Sequence, residues 1–320
     1  MPFRKVFNAI EWFNRQNLII ILFILSCANF FGFYLDGGEE QYLAFAKQYM
    51  DHSWMPHSFT LNHPAGGNLF FQIITGFMLR YLSFEQTAFI GRLICFLMLV
   101  IPLSLIIKRI EINNLTAVFI FQAFFFPHQS IWMGEWVFKG FEEKTIAYIF
   151  VYWSIYFLLT DKPFSSIIFS AIATYFHFLV GGWMSLFIVT YYFLYKRKLI
   201  PAIYLGGLYM IVILPLFLYL YKTYIADNPP VINNIRISEI YAYFRLKHHI
   251  GAFGDINYFI NHHLGGMLLS ALCFIACLFW FNRYGNPWIK KLNLLNIIIF
   301  SQQFLFIVAA IFDRSASLMK

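Results

Sequence analysis

The chain has 320 residues, of which 60% are hydrophobic, 22% aromatic and only 12% charged. Soluble domains carry about 25% charged residues, so this composition excludes an ordinary soluble protein and predicts one that crosses a lipid bilayer several times. The formal net charge of +8 fits an excess of lysine and arginine in cytoplasmic loops, and we therefore predict no nucleic-acid partner.

The N-terminal segment 1–16 is basic, and the apolar run 17–34 is long enough to cross a hydrocarbon core of about 30 Å. The positive flank places the N-terminus in the cytoplasm. Because no small-residue cleavage site follows the run, we interpret it as a permanent anchor. The cysteines lie in apolar runs, without the spacing of a disulfide framework or a zinc site. We predict no cofactor, and a divalent metal is the alternative.

A long outward loop, about residues 36–69, follows the first crossing. In its first part, EEQYLAFAKQYMD, apolar side chains recur at helical spacing, opposite a side that carries Glu40, Lys47 and Asp51. This pattern predicts an amphipathic helix that lies flat in the membrane interface. The next apolar stretch, 70–82, is short, and is either a tilted or re-entrant helix or a packed lid over the first loop.

The remaining apolar runs predict an all-α, polytopic transmembrane helical bundle with about nine crossings in one domain, residues 1–320. Two further outward loops are predicted at about residues 128–144 and 222–263. Of the 23 lysines and arginines, twelve fall in the short inward segments, which supports this orientation in a bacterial inner membrane. An odd number of crossings and an abrupt end indicate a fragment that lacks further C-terminal helices.

All nine histidines and twelve of the fifteen acidic residues fall on the predicted outer side. A simple membrane anchor would have polar residues on both sides. Long loops hold more polar residues in any case, but the asymmetry favours an outer face that carries the function.

Two of the outward loops place acidic residues directly before a helix. Asp36, Glu39 and Glu40 open the first loop, where Gly37 and Gly38 permit a tight backbone path. Glu142 and Glu143 precede the next apolar run in the same way. Carboxylates at these places can simply stabilise the helix dipole. Lys144 opposes the dipole, which favours a binding role for that residue.

The third outward loop contains a compact cationic patch. Arg245, Lys247, His248 and His249 fall within five residues, and such a patch suits a phosphate or pyrophosphate group, although attraction to lipid headgroups is an alternative. Adjacent histidines in an extended segment point apart, which argues against a metal site. His177, at the mouth of a helix, is either a packed cap or a member of the site.

The segments GFEEKTIAY, TYFHFLVGGW and FRLKHHIGAFGD, set in this loop layout, resemble a group of bacterial membrane proteins near the GT-C-type polytopic glycosyltransferases. The resemblance implies transfer of a sugar from a polyprenyl-phosphate-linked donor on the outer face of the inner membrane. An acid of the first loop, Glu39, Glu40 or Asp36, would then be the catalytic base. Substrate would be bound by residues of the other outward segments: Glu142, Lys144, His177, Arg245, Lys247, His248 and His249. The first loop departs from the family in lacking a paired aspartate motif.

Two other functions stay open. A lipid or polysaccharide transporter or flippase would need charges or broken helices at mid-membrane depth, for which Arg92 and the pair Gly206 and Gly207 give only slight support. A catalytically inactive scaffold for envelope assembly would keep the same topology.

Overall fold

The computed structural model describes most of the chain: residues 2–58, 60–62, 66–126, 129, 136–226, 231–232, 235–236, 256–262, 264–283 and 286–312. These residues fall into two compact units, the first within 1–129 and 136–217 and the second within 218–320. The helices of the first unit are α1 (Pro2–Asn14), α2 (Leu18–Phe30), α3 (Gly37–Met50), α4 (Leu69–Met78), α5 (Phe84–Arg109), α6 (Asn114–Ile120), α7 (Glu143–Leu159), α8 (Pro163–Phe176), α9 (Phe178–Lys196) and α10 (Leu199–Leu220).

The second unit is also helical where it is described. It contains α11 (Ile256–His262), α12 (Leu264–Arg283) and α13 (Pro287–Phe312). Two-residue strands, β1 (Val231–Ile232) and β2 (Ile235–Arg236), pair antiparallel, a small exception to the predicted all-α fold. Single π-helical turns extend α6 and α10, at Phe121–Phe125 and Tyr221–Ala226.

The helical membrane architecture is confirmed, but the number of crossings is not. Among the described residues, three helical segments are long and apolar enough to cross a bilayer: Phe84–Arg109, Phe178–Lys196 and Leu199–Thr223. The pair Phe7–Asn14 and Leu18–Phe30, bent by 96°, supplies a fourth if it counts as one span. The other apolar helices named by this test have 10–17 residues, less than the approximately 20 that a perpendicular crossing needs.

The first-loop helix exists, but its apolar side does not face lipid. Leu43 and Ala46 are fully buried, and α3 packs against α4 as a helical pair. Gly76 of α4 lies so close to α3 that an added Cβ would contact the carbonyl oxygen of Ala46. The expected interfacial helix is therefore covered by protein, and α4 packs over the first loop in the manner of the predicted lid.

Small and hydroxyl-bearing residues hold α7, α8 and α9 together. Ser154 and Ser166 each donate a hydrogen bond to the other's backbone carbonyl, at 2.8 Å, and Ser170 donates to the carbonyl of Gly181 at 2.9 Å. Such contacts are typical of helix packing in membranes, because small residues let backbones approach closely. They join α7 to α8 and α8 to α9.

Gly181→Ala should destabilise the protein by about 1–3 kcal/mol, as expected for overpacking. An added Cβ would overlap the backbone of Thr174 in α8, which cannot move without displacing the helix. Gly207→Ala is the matched control, since nothing described lies within 4 Å of its added Cβ. Thermal unfolding in detergent should show a lowered midpoint for Gly181→Ala alone; equal midpoints would contradict the close α8–α9 contact.

Candidate functional site

The central loop is anchored in the core by two phenylalanines. Phe138 is fully buried and contacts four other aromatic rings, those of Phe30, Phe96, Phe121 and Phe125, at centroid distances of 5.4–6.0 Å. Phe141 packs on the ring of Phe71 at 5.2 Å. The segment 136–142 is thus a packed part of the protein, because these two side chains are buried in the core.

This anchoring brings the central loop to the start of α3. The ammonium of Lys139 lies 3.0 Å from a carboxylate oxygen of Asp36, and the backbone N–H of Phe141 donates to Oε1 of Glu39 at 2.6 Å. Two of the three segments in which candidate residues were predicted therefore meet. We call Asp36, Glu39, Lys139, Glu142, Glu143 and Lys144 the acid cluster.

Glu39 is the structural centre of the acid cluster. It is fully buried, and Arg92 of α5, 3% exposed, holds it through two contacts: Nε donates to Oε1 at 2.7 Å, and Nη2 donates to Oε2. Oε2 also accepts the backbone N–H of Asp36 at 2.9 Å in a capping box. Because both carboxylate oxygens accept hydrogen bonds, this geometry suits a charged structural residue better than the catalytic base we predicted.

Arg92 joins three segments of the chain. Besides Glu39, its guanidinium donates to the backbone carbonyls of Gly32 and Tyr34, the latter at 2.7 Å. Both carbonyls lie between α2 and α3, outside any helix, where backbone acceptors need partners other than helical N–H groups. A planar guanidinium can satisfy several such acceptors at once, so Arg92 fixes α2, the start of α3 and α5 together.

Glu142 lies beside Glu39 but is bonded differently. It is 3% exposed, and its Oε1 has no hydrogen-bond partner within the described part of the chain. Its carboxyl rests against Gly38, where any added Cβ would overlap it. Burial raises the pKa of Glu142 to about 7, against the opposing effect of Lys144. A buried carboxyl with a free acceptor oxygen and a near-neutral pKa can take up a proton at physiological pH.

Glu143, the first residue of α7, is a second buried carboxyl. It is 5% exposed, it is hydrogen-bonded with Tyr42, and its Oε2 has no partner among the described residues. Burial raises its pKa to about 7 as well, and the negative charge of Glu142 adds to the effect. The predicted role of these acids as simple helix-dipole partners would not require such burial, because that interaction also operates at exposed helix ends.

Stability should fall as the pH rises from about 4.5 to about 7. A carboxyl with a raised pKa binds more protons in the folded than in the unfolded state over this range, so deprotonation costs folding energy, about 3 kcal/mol for a shift from 4.5 to about 7. We expect a lower unfolding midpoint in detergent at pH 8 than at pH 5.5. Glu142→Gln should reduce the difference, whereas Glu40→Gln, at an exposed site, should not; an unchanged difference in Glu142→Gln would contradict the shift.

The two lysines of the acid cluster lie over the aromatic ring of Trp136. The ammonium groups of Lys139 and Lys144 lie 4.5 and 4.0 Å from the ring centroid of Trp136, an arrangement that stabilises them by cation–π attraction. Acidic and basic groups are thus placed side by side: the carboxyl of Glu142 can accept a proton, and the two lysines can attract an anionic group.

Of the remaining predicted residues, Asp36 belongs to the acid cluster, and the structure places Glu40 and His177 elsewhere. Asp36 is paired with Lys139, and Glu40 is exposed on the first turn of α3. His177 is the N-cap of α9, where its Nδ1 accepts the backbone N–H of Val180 at 3.3 Å, which fits the capping interpretation. The cationic patch of Arg245, Lys247, His248 and His249 lies outside the described residues.

Two contributors were not predicted as site residues. In the sequence, Arg92 was notable only as a charge within an apolar run. A charge within such a helix usually pairs with an opposite charge, and this rule could have indicated an acid of the first loop as its partner. Nothing in the sequence indicated that Gly38 would contact Glu142.

Within the described ranges, no group of three or more histidine, cysteine, aspartate and glutamate side chains is placed to hold a metal ion. The sequence and the structure were also compared with known proteins. No protein-family model, curated protein or solved structure matches the chain.

Proposed function

We propose that this protein is a membrane glycosyltransferase that moves a sugar from a polyprenyl-phosphate-linked donor to an acceptor hydroxyl at the outer face of a bacterial inner membrane. The observation that carries the proposal is the acid cluster, in which the buried, unpaired Oε1 of Glu142 lies among two lysines and three further acids. The resemblance of the loop layout to GT-C-type enzymes supplies the reaction class.

In this reaction Glu142 is the base. The acceptor oxygen attacks the anomeric carbon of the sugar, the bond from that carbon to the phosphate oxygen breaks, and polyprenyl phosphate leaves with the electron pair. The acceptor's hydroxyl proton passes to Glu142, whose pKa of about 7 suits a base that works near neutral pH. Lys139 and Lys144 stabilise the negative charge of the departing phosphate.

The role of Glu39 and Asp36 is then to position Glu142 and the lysines. Glu39 holds the backbone of Phe141, one residue before Glu142, and Asp36 holds Lys139. A positioning residue acts through another group, so Asp36→Asn should weaken donor binding through Lys139. Because the negative charge of Asp36 helps to raise the pKa of Glu142, the same change should lower the pH at which the rate rises.

The binding of a C55 polyprenyl phosphate to the purified protein in uncharged detergent tests the donor site. We expect saturable binding that Lys144→Ala weakens about tenfold, the loss expected for one charge-assisted contact. Lys198→Ala, a cation in the turn between α9 and α10, is the control and should bind as the wild type does. Absence of saturable binding to a folded wild type would contradict the proposal.

We also propose the nine-crossing topology, with a cytoplasmic N-terminus. The three candidate spans and the bent pair support part of it, and shorter apolar helices would complete it as broken crossings or with local thinning of the bilayer. Ser53→Cys in the first loop should react with an impermeant maleimide on intact spheroplasts, and Lys198→Cys only after permeabilisation. The reverse pattern would invert the orientation and place the acid cluster in the cytoplasm.

Proton-coupled transport of a lipid or polysaccharide is the second candidate, and one observation favours it: Glu142 and Glu143 are adjacent buried carboxyls with pKa values raised to about 7. Buried carboxyls that titrate near neutral pH can take up and release a proton in each transport cycle. A transporter would move substrate across liposomes without chemical change, and an inactive scaffold would tolerate Glu142→Gln.

A further inference from the structure

A second polar site lies at the other end of α7. A cavity of about 430 Å³ opens where the α7–α8 turn meets the last turns of α9. Because α7 has 17 residues and a helix rises 1.5 Å per residue, the cavity lies about 25 Å from Glu142 along the helix axis. This distance is close to the thickness of a hydrocarbon core, so the cavity is separate from the acid cluster.

The walls of the cavity are cationic and apolar. Lys162 and Lys196 line it together with one carboxylate, Asp161, so that positive charge is in excess. Leu158 and Phe164 form an apolar part of the wall. Since α9 is a candidate span that ends at Lys196, the cavity lies where an apolar membrane segment gives way to charge, the level at which lipid headgroups reside.

One residue that lines the cavity has a buried hydroxyl without a partner among the described residues. Tyr191 lines the cavity, is 2% exposed, and its hydroxyl makes no hydrogen bond to any described residue. Its ring stacks on that of Tyr195 at a centroid distance of 5.7 Å, which restrains its position. Because a buried polar group without a partner costs folding energy, such a group points to a ligand oxygen that accepts its hydrogen bond.

The start of α8 adds positive character to the same place. Pro163 occupies the first turn, and the N-cap residue, Lys162, provides no side-chain hydrogen bond to the first N–H groups. The first turn of an uncapped helix attracts anions through these N–H groups and through the helix dipole. Ser165 of this turn also lines the cavity. Two lysines, a buried hydroxyl and a helix start therefore face one volume.

We infer that this cavity binds a phosphate group, with Lys162, Lys196 and the hydroxyl of Tyr191 as its donors. The apolar wall suits an attached hydrocarbon chain, so a phospholipid headgroup supplies the phosphate more favourably than the free ion does. This inference is independent of the proposed sugar transfer, because it concerns other residues at the opposite end of α7.

The test uses the full chain, purified in uncharged detergent, with three probes: dioctanoyl phosphatidic acid, inorganic phosphate and dioctanoylglycerol, which has the same chains without phosphate. We expect phosphatidic acid to bind saturably, and Lys162→Gln to weaken it about tenfold. Tyr191→Phe should weaken the binding of phosphatidic acid several-fold. It should not lower the unfolding midpoint of the ligand-free protein, because the hydroxyl makes no hydrogen bond to a described residue. Lys198→Gln, which does not line the cavity, is the matched control.

The outcomes separate the sources of the phosphate. Binding of phosphatidic acid alone, lost in the cavity variants, supports a lipid headgroup; binding of inorganic phosphate with the same dependence on Lys162 supports the phosphate site with a soluble ligand. Equal binding of phosphatidic acid to wild type, Lys162→Gln and Tyr191→Phe would overturn the inference. Equal binding of dioctanoylglycerol, or no binding of any probe to the folded protein, would overturn it too.

Discussion

Glu142→Gln should reduce sugar transfer by about 10²–10⁴-fold, the contribution typical of a general base, and leave the protein folded. Glutamine keeps the size of the side chain, which matters because the carboxyl rests against Gly38, but it cannot accept the acceptor's proton. The measurement is the transfer of labelled sugar from a polyprenyl-phosphate donor to membranes that supply the acceptor.

Stability distinguishes this loss from misfolding. Since burial raises the pKa of Glu142, removal of its charge should raise the unfolding midpoint more at pH 8 than at pH 5.5, where only part of the penalty is present. Gly38→Ala, which would displace the Glu142 carboxyl, should lower activity, whereas Gly37→Ala, with nothing described within 4 Å of its added Cβ, should not. Full activity of Glu142→Gln would remove this residue from the mechanism.

Arg92→Leu should destabilise the protein by about 3–5 kcal/mol, since it leaves the carboxylate of Glu39 buried without its counter-charge. The backbone carbonyls of Gly32 and Tyr34 lose a donor in the same variant. The measurement is the unfolding midpoint and the yield of folded protein in detergent.

Two comparisons isolate the cause. Removal of both charges, in Arg92→Leu with Glu39→Leu, should recover part of the loss, because no unpaired charge then stays buried. Arg15→Leu breaks the pair with Glu11, in which the side chain of Arg15 is 74% exposed and that of Glu11 is 50% exposed. This change should lower the free energy of unfolding by less than about 1 kcal/mol. Similar losses for Arg92→Leu and Arg15→Leu would contradict the structural role of Glu39.

Local sequence patterns were sufficient to predict the helices of the site. Asp36 caps α3, and Glu142 is the N-cap residue of α7, as acids before apolar runs indicate. The helical spacing of the apolar residues of α3 was also recognisable in the sequence. The same spacing occurs in helices that face lipid and in helices that pack on protein, so the sequence did not show that α3 packs on α4.

The pairing within the site depends on contacts that periodicity does not reveal. Glu39 and Arg92 are 53 residues apart, and the choice of Glu39 over Glu40 as the buried partner follows from how α3 packs. The contrast between Glu39, which is fully hydrogen-bonded, and Glu142, which has an unpaired oxygen, is likewise set by the burial of Phe138 and Phe141 in the core.

The most direct test of the proposed function is sugar transfer by the purified wild type from a polyprenyl-phosphate-linked donor, measured from pH 5 to pH 9. Because Glu142 must be deprotonated to act, we predict a rate that rises with pH through about 7. In Glu142→Gln the rate should be about 10²–10⁴-fold lower and should lack this rise. A folded wild type that transfers no sugar at any pH, or a rate without dependence on Glu142, would contradict the account.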